Sequence, residues 1–209
     1  MGAGGARSRA GEVGIGVGPG GGHECVIMTD MNSLDDTRNL VDVYKGMSVE
    51  DVASDMRAKA FSFHVAIENL QHDFNIGSIV RSANAFNAGG VHIIGKRHWN
   101  KRGAMATDKY LDIYHHSTVE EFSEWCKLNQ LSIVGVDNVD GSVELRNAEI
   151  PKNVVLVFGQ EGPGLSESLR EVCKFLVAIE QFGSTRSVNV GAAGAIVMYE
   201  WVRRHQLEN

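Results

Sequence analysis

The chain has 209 residues, of which 43% are hydrophobic and 22% charged, with a formal net charge of -6. That is enough for one sizeable core, or a core with a small appendage, and too apolar for a wholly disordered chain. The acidic balance excludes a generally basic nucleic-acid coat protein and leaves room for a focused basic patch.

Residues 1–22 carry ten of the 24 glycines. They cannot bury enough surface to offset the entropy of ordering, so 1–33 reads as a disordered leader, with translation from Met28 or Met31 as an alternative. Arg7 and Arg9 precede a stretch broken by glycines and Pro19, which makes a poor signal peptide. Over 34–60, Leu40, Val43, Tyr44, Val52 and Met56, with Ser48 and Asp51 near a helix start, predict an extension of one or two helices. The text changes at residue 61, where a domain reaching 209 begins. Strands are predicted at Phe63–Leu70, Val91–Ile94, Leu131–Asp137, Val154–Phe158 and Phe175–Ile179. Helices are predicted at Ile76–Ala88, Thr118–Asn129, Ser166–Val172 and Val190–Arg204. Helices that repeatedly follow strands give an α/β domain, a mainly parallel sheet covered by helices on both faces. No run of about 18 apolar residues exists, so no membrane-spanning helix is expected.

In open α/β sheets ligands sit beyond the carboxyl ends of the strands. Three loops there stand out. In the first, Asn69 to Arg81, Asn75 is placed to cap a helix. The second, Phe158-Gly159-Gln160-Glu161-Gly162-Pro163-Gly164-Leu165-Ser166, lets backbone amides approach a ligand closely. It is not a P-loop, because Leu165 stands where lysine is needed, and the Rossmann glycine order is absent. Glu161 repels polyphosphates, so a cationic or neutral ligand suits it better. In the third, Ile179 to Gly191, Ser187 or Asn189 caps the next helix. That helix opens with Gly191, Ala192, Ala193, Gly194 and Ala195, small residues that suit a very close neighbour. No serine-hydrolase motif is present. The eight histidines and the three widely spaced cysteines Cys25, Cys126 and Cys173 show no metal or disulfide spacing. Reduced thiols, a cytoplasmic location and no bound metal are the expectation.

In order, the segments NIGSIVRSANAFNAGGVHIIG, LVFGQEGPGLS and IEQFGSTRSVNVGAAGAIVMYEW resemble the three motifs of the SpoU (TrmH-type) RNA ribose 2′-O-methyltransferases of the SPOUT superfamily. The resemblance covers about residues 61–204. It implies a sheet whose C-terminal part is tucked into a deep trefoil knot, a homodimer, and S-adenosylmethionine (AdoMet) as cofactor. It places catalytic roles on Asn75, Arg81, Glu161, Ser187 and Asn189. Cofactor contacts fall on Phe158, Gly159, Ile179, Val188 and Asn189, with Val188 where leucine is commoner. Arg186 is not general to the family and either contacts RNA or marks a subgroup. Arg81 acts on the ribose hydroxyl as general base, or orients it while binding phosphate, since arginines titrate at about 12.5 or higher.

Lys96, Arg97, Lys101 and Arg102 surround Trp99 after the second strand. They are expected to hold RNA through phosphate contacts and base stacking. The function implied is methyl transfer to a ribose 2′-hydroxyl of tRNA or rRNA. The alternatives are a catalytically inactive RNA-binding protein of the same fold and a nucleotide-binding oxidoreductase, the latter disfavoured by its missing fingerprint.

Overall fold

In this computed structural model the described residues are 37–70, 75–160 and 162–208. The leader expected over 1–33, Cys25 and Glu161 lie outside them. Among the described residues seven strands form one sheet: β1 (Phe63–Asn69), β2 (Gly90–Gly95), β3 (Ile113–His116), β4 (Ser132–Val136), β5 (Val143–Glu144), β6 (Val154–Phe158) and β7 (Phe175–Ala178). Their order is β3-β2-β1-β6-β4-β7-β5, and every neighbouring pair is parallel. The sequence pattern predicts five of these and misses β3 and β5, which are short and lie at the two edges.

The strands read as they do because both faces of a parallel sheet are covered. β6, between β1 and β4, is buried from end to end and carries no polar alternation. In β1, Val65 and Ile67 pack toward α2 (Ile76–Ala85) and α5 (Val190–Val202), while Ala66 packs toward α3 (Val119–Leu128) and α4 (Glu167–Val172). Trp201 of α5 seals one end of the first layer, with its ring 4.5 Å from that of Phe63 and its Nε1 donating to the Pro151 carbonyl. The helical extension is anchored too. The Ser48 side chain accepts from the Asp51 amide to start α1 (Val49–Ala58), and Arg57 grips Asp112, just before β3, through two bonds of 2.9 and 2.8 Å.

α2 and α3 stop earlier than predicted for one reason, and α5 gives way at Arg203 to a π-helical turn. At the end of α2, Asn87 takes φ 53° and the Ala88 amide turns back to the Ala83 carbonyl at 2.9 Å. At the end of α3, Gln130 takes φ 56° and the Leu131 amide returns to the Cys126 carbonyl at 3.0 Å. These are left-handed helix stops made without the usual glycine.

Three of the eight histidines form a ladder across β1, β2 and β3. His64 Nδ1 lies 3.0 Å from His92 Nε2, and His92 Nδ1 lies 2.9 Å from His116 Nε2. Trp125, Phe122 and Tyr114 enclose them. Each neutral imidazole offers one donor and one acceptor, which is what a head-to-tail ladder uses. Burial, reinforced by the two neighbouring rings, pushes the His92 pKa from 6.5 down to about 2. Burial takes His64 to about 4 against the pull of Asp112, and lowers His116 despite Glu121. The unfolded chain therefore binds protons below pH 6.5 that the folded ladder refuses, and stability falls as pH drops through the window from 6.5 to 4. His92, the most deeply buried of the three, resists protonation most strongly and contributes most to this loss. Urea midpoints should fall across this window while the His92 ring resonances stay neutral; a flat profile, or a His92 titration near 6.5, would contradict the ladder.

No helix among the described residues is long and apolar enough to cross a membrane. Cys126 and Cys173 are free thiols, and burial pushes both up to about 12, so neither is a ready nucleophile.

Candidate active site

The carboxyl ends of β4, β6 and β7 open onto one cavity of about 600 Å³. Its wall includes Phe158, Gly159, Ile179, Val188 and Asn189, the five positions expected to touch a cofactor, together with Arg186 and Ser187. Asn75, Arg81 and the basic segment are not part of the lining.

The loop after β6 is tight. Gln160 and Gly164 exchange backbone hydrogen bonds of 3.0 and 3.1 Å, and Gly162 and Gly164 take φ 99° and 75°. A Cβ on Gly159 would lie 2.2 Å from the Gly164 carbonyl carbon, so only glycine closes this turn. Asp137, at the tip of β4, locks the loop from outside by accepting from the Leu165 amide and from Arg170 Nη2, both at 3.1 Å. Asp137, Arg170, Gln160 and Gln181 all line the cavity and are functional candidates that motif reading missed. The usable signal was position: Asp137 ends a predicted strand, where α/β ligands gather. Gln160 Oε1 and Gln181 Oε1 are buried without a hydrogen-bond partner among the described residues.

Asn189 caps α5 as expected, its Oδ1 accepting from the Gly191 and Ala192 amides at 2.9 and 3.3 Å. Its Nδ2 donates to Asn75 Oδ1 at 2.8 Å, joining the starts of α2 and α5. Asn75 thus corrects the capping expectation: its backbone is already helical, and its side-chain oxygen receives Asn189 rather than the first-turn amides of α2. The small residues of α5 are explained by this junction, because a Cβ on Gly191 would sit 3.1 Å from Ser78 Cβ.

Arg81 is exposed on α2. The basic segment folds back onto the start of the same helix, where a Cβ on Gly77 would lie 2.7 Å from the Ala104 amide nitrogen. Lys96, Arg97 and Arg102 are exposed. Trp99 is half-buried against the main core, Lys101 Nζ lies 5.6 Å from its ring centre, and Lys101 also pairs with Asp108 at 2.8 Å. All four cations of the segment are exposed, Lys101 making its ion pair at the surface, while Trp99 is only partly buried.

A family model described as the SpoU rRNA Methylase family matches residues 62–199. An uncharacterized tRNA/rRNA methyltransferase of Mycobacterium sp. (strain KMS) is 32% identical over 149 residues, covering 68% of this chain and 46% of that protein. The chain spans about half the length of the curated relatives it matches. The crystal structure of the SpoU methyltransferase AviRb from Streptomyces viridochromogenes in complex with the cofactor AdoMet is 27% identical, with a TM-score of 0.63 over 69% of this chain and 58% of that one. The A. aeolicus TrmH/SpoU tRNA modifying enzyme, at 23% identity, shares the fold with a TM-score of 0.66 over 77% of this chain and 85% of its own. The family match begins just before β1 and runs well into α5, taking in every loop described above, and the chain belongs to the SpoU rRNA methylase family.

Proposed function

We propose that the chain is an AdoMet-dependent methyltransferase acting on a ribose 2′-hydroxyl of tRNA or rRNA. The observation that carries this reading is the convergence of three loops. The second and third bound one cavity, and the Asn189–Asn75 bond ties the helix bearing Arg81 to its rim.

The cavity fits AdoMet. Its volume lies within the range of about 300–1,000 Å³ usual for small-molecule sites. Val136, Phe158, Val177 and Ile179 offer apolar surface to an adenine ring. The Asp137 carboxylate and the unpartnered Gln160 and Gln181 oxygens suit a ligand bringing hydroxyl and amino donors and positive charge. When bound, AdoMet supplies a methyl group activated on a sulfonium. Phe158, Gly159, Ile179, Val188 and Asn189 hold it, Gly159 by admitting close backbone approach. Arg81, outside the cavity, meets the RNA and either takes the hydroxyl proton or orients the hydroxyl through the adjoining phosphate. Asn75, Asn189, Ser187 and Glu161 complete the catalytic group. Lys96, Arg97, Lys101 and Arg102, with Arg186 at the cavity rim, contact RNA phosphates, and Trp99 offers the exposed part of its ring to a base.

A homodimer belongs to the same reading. α5 buries Val197, Met198 and Trp201 on one side and exposes Ile196 and Tyr199 on the other, with the Phe86 ring tilted against that of Tyr199. A helix apolar all round calls for cover on both sides, and a second copy supplies it. Ile196→Asp should shift the mass measured by light scattering from dimer to monomer; an unchanged dimer would place the interface elsewhere. A knotted path is also part of the reading: β7 lies between β4 and β5, both earlier in the chain, so the C-terminal part enters a sheet already flanked. The unpaired thiols Cys126 and Cys173 agree with a reducing cytoplasm.

Incubation with methyl-tritiated AdoMet and bulk tRNA or rRNA tests the activity. Label entering RNA supports it, whereas RNA binding without label favours the inactive RNA-binding alternative. Comparing mapped 2′-O-methyl sites in cells with and without the gene then identifies the nucleotide.

A further inference from the structure

The last two residues of β1 point to opposite faces of the sheet and brace different parts of the site. Glu68, almost fully buried, accepts from the Ser166 amide at 3.1 Å, at the cap of α4 just after the glycine loop. Asn69 is fully buried on the other face. Its Nδ2 donates both protons, to the Lys96 carbonyl at 2.6 Å and the His98 carbonyl at 2.9 Å. Its backbone carbonyl accepts from the Lys96 amide at 2.9 Å, while its side-chain oxygen is buried with no partner among the described residues. The clamped turn begins at Gly95, whose φ of 95° swings the chain away from the sheet, and a Cβ there would come within 3.0 Å of the Asn69 oxygen. Lys96 and Arg97 project from it, exposed, and neither makes an ion pair among the described residues.

We propose that Asn69 is a positioning residue for RNA capture. Its buried amide fixes the Gly95–His98 turn so that Lys96 and Arg97 stand preformed as a phosphate-binding pair, independently of the cofactor cavity. The chemistry is specific to an amide, since aspartate would face two carbonyl oxygens with a third acceptor and a buried charge. Holding the cations in place before binding removes the ordering cost that a loose loop would incur on meeting RNA. This rests on the reading of the basic segment as an RNA surface, and the test separates the two.

Asn69→Ala, Asn69→Ser, the Lys96→Glu/Arg97→Glu pair and their combination are titrated with bulk tRNA over a salt series, and with AdoMet by calorimetry. The charge pair should weaken RNA binding at least about tenfold and flatten the salt slope by roughly two contacts. Asn69→Ala should weaken RNA binding severalfold with a shallower slope, leave AdoMet affinity within twofold, and add little in the charge-reversed background. Serine, with a single donor, should fall between alanine and the parent, and it serves as the folded variant if alanine does not fold. A charge pair without effect on RNA overturns the RNA-surface reading. If the charge pair acts but the Asn69 variants leave RNA affinity unchanged, or lower RNA and AdoMet affinity in parallel, Asn69 is only structural and the proposal fails.

Discussion

Gly159→Ala is expected to abolish AdoMet binding, with the dissociation constant rising by at least about 100-fold, or about 2.7 kcal/mol. The added methyl would stand 2.2 Å from the Gly164 carbonyl carbon and 2.4 Å from the Leu165 nitrogen. Both are backbone atoms of a loop pinned by the Gln160–Gly164 bond pair and by Asp137, so no side chain can swing aside. Relief requires breaking the bond pair or shifting the β6 end, and either collapses or opens the cavity wall that Phe158 and Gly159 form. Overpacking of this kind costs about 1–3 kcal/mol or more in stability, so the melting temperature should drop by about 3–10 °C. Calorimetric AdoMet titration and thermal melts check both. Parental affinity in this variant would mean that the loop is looser than its hydrogen bonds indicate and that Gly159 does not shape the cofactor site.

Arg81→Ala should behave in the opposite way toward the cofactor. Arg81 is exposed and absent from the cavity lining, so AdoMet affinity and the melting temperature should stay near the parent's. The rate of methyl transfer in single turnover should fall by about 10²–10⁴-fold, the range associated with a positioned proton-transfer group. Arg81→Lys separates the two roles open to this side chain. It keeps the charge but loses the planar fork and has a lower ordinary pKa. A general base predicts rate recovered toward high pH, and an orienting fork predicts little recovery at any pH. Normal transfer by Arg81→Ala would remove this residue from the mechanism.

Much of this was legible in the sequence because parallel strands buried on both faces announce themselves as unbroken apolar runs, as in Val154–Phe158. Asn189 was readable as a cap because capping is local chemistry. What stayed hidden was non-local or unconventional. The four residues of β3 and the two of β5 are too short for a period-two pattern to register. Asn87 and Gln130 end their helices in a conformation usually marked by glycine. Asn75 looked like a cap because its partner, Asn189, is 114 positions away. The ladder of His64, His92 and His116 exists only once three strands lie side by side, and nothing in the spacing of those residues foretells it. That Trp99 also packs partly against the core could not be read from its basic loop.

Methyl transfer is expected to end on a ribose oxygen, and the product's own chemistry shows whether it does. RNA labelled by the purified chain with methyl-tritiated AdoMet is hydrolysed in alkali, which cuts every linkage except one beside a 2′-O-methyl ribose. Label should appear in alkali-resistant dinucleotides, digest further to a single 2′-O-methylated nucleoside, and vanish with Arg81→Ala and Gly159→Ala. Label recovered on a nucleobase in alkali-sensitive mononucleotides would exclude transfer to the ribose 2′-hydroxyl.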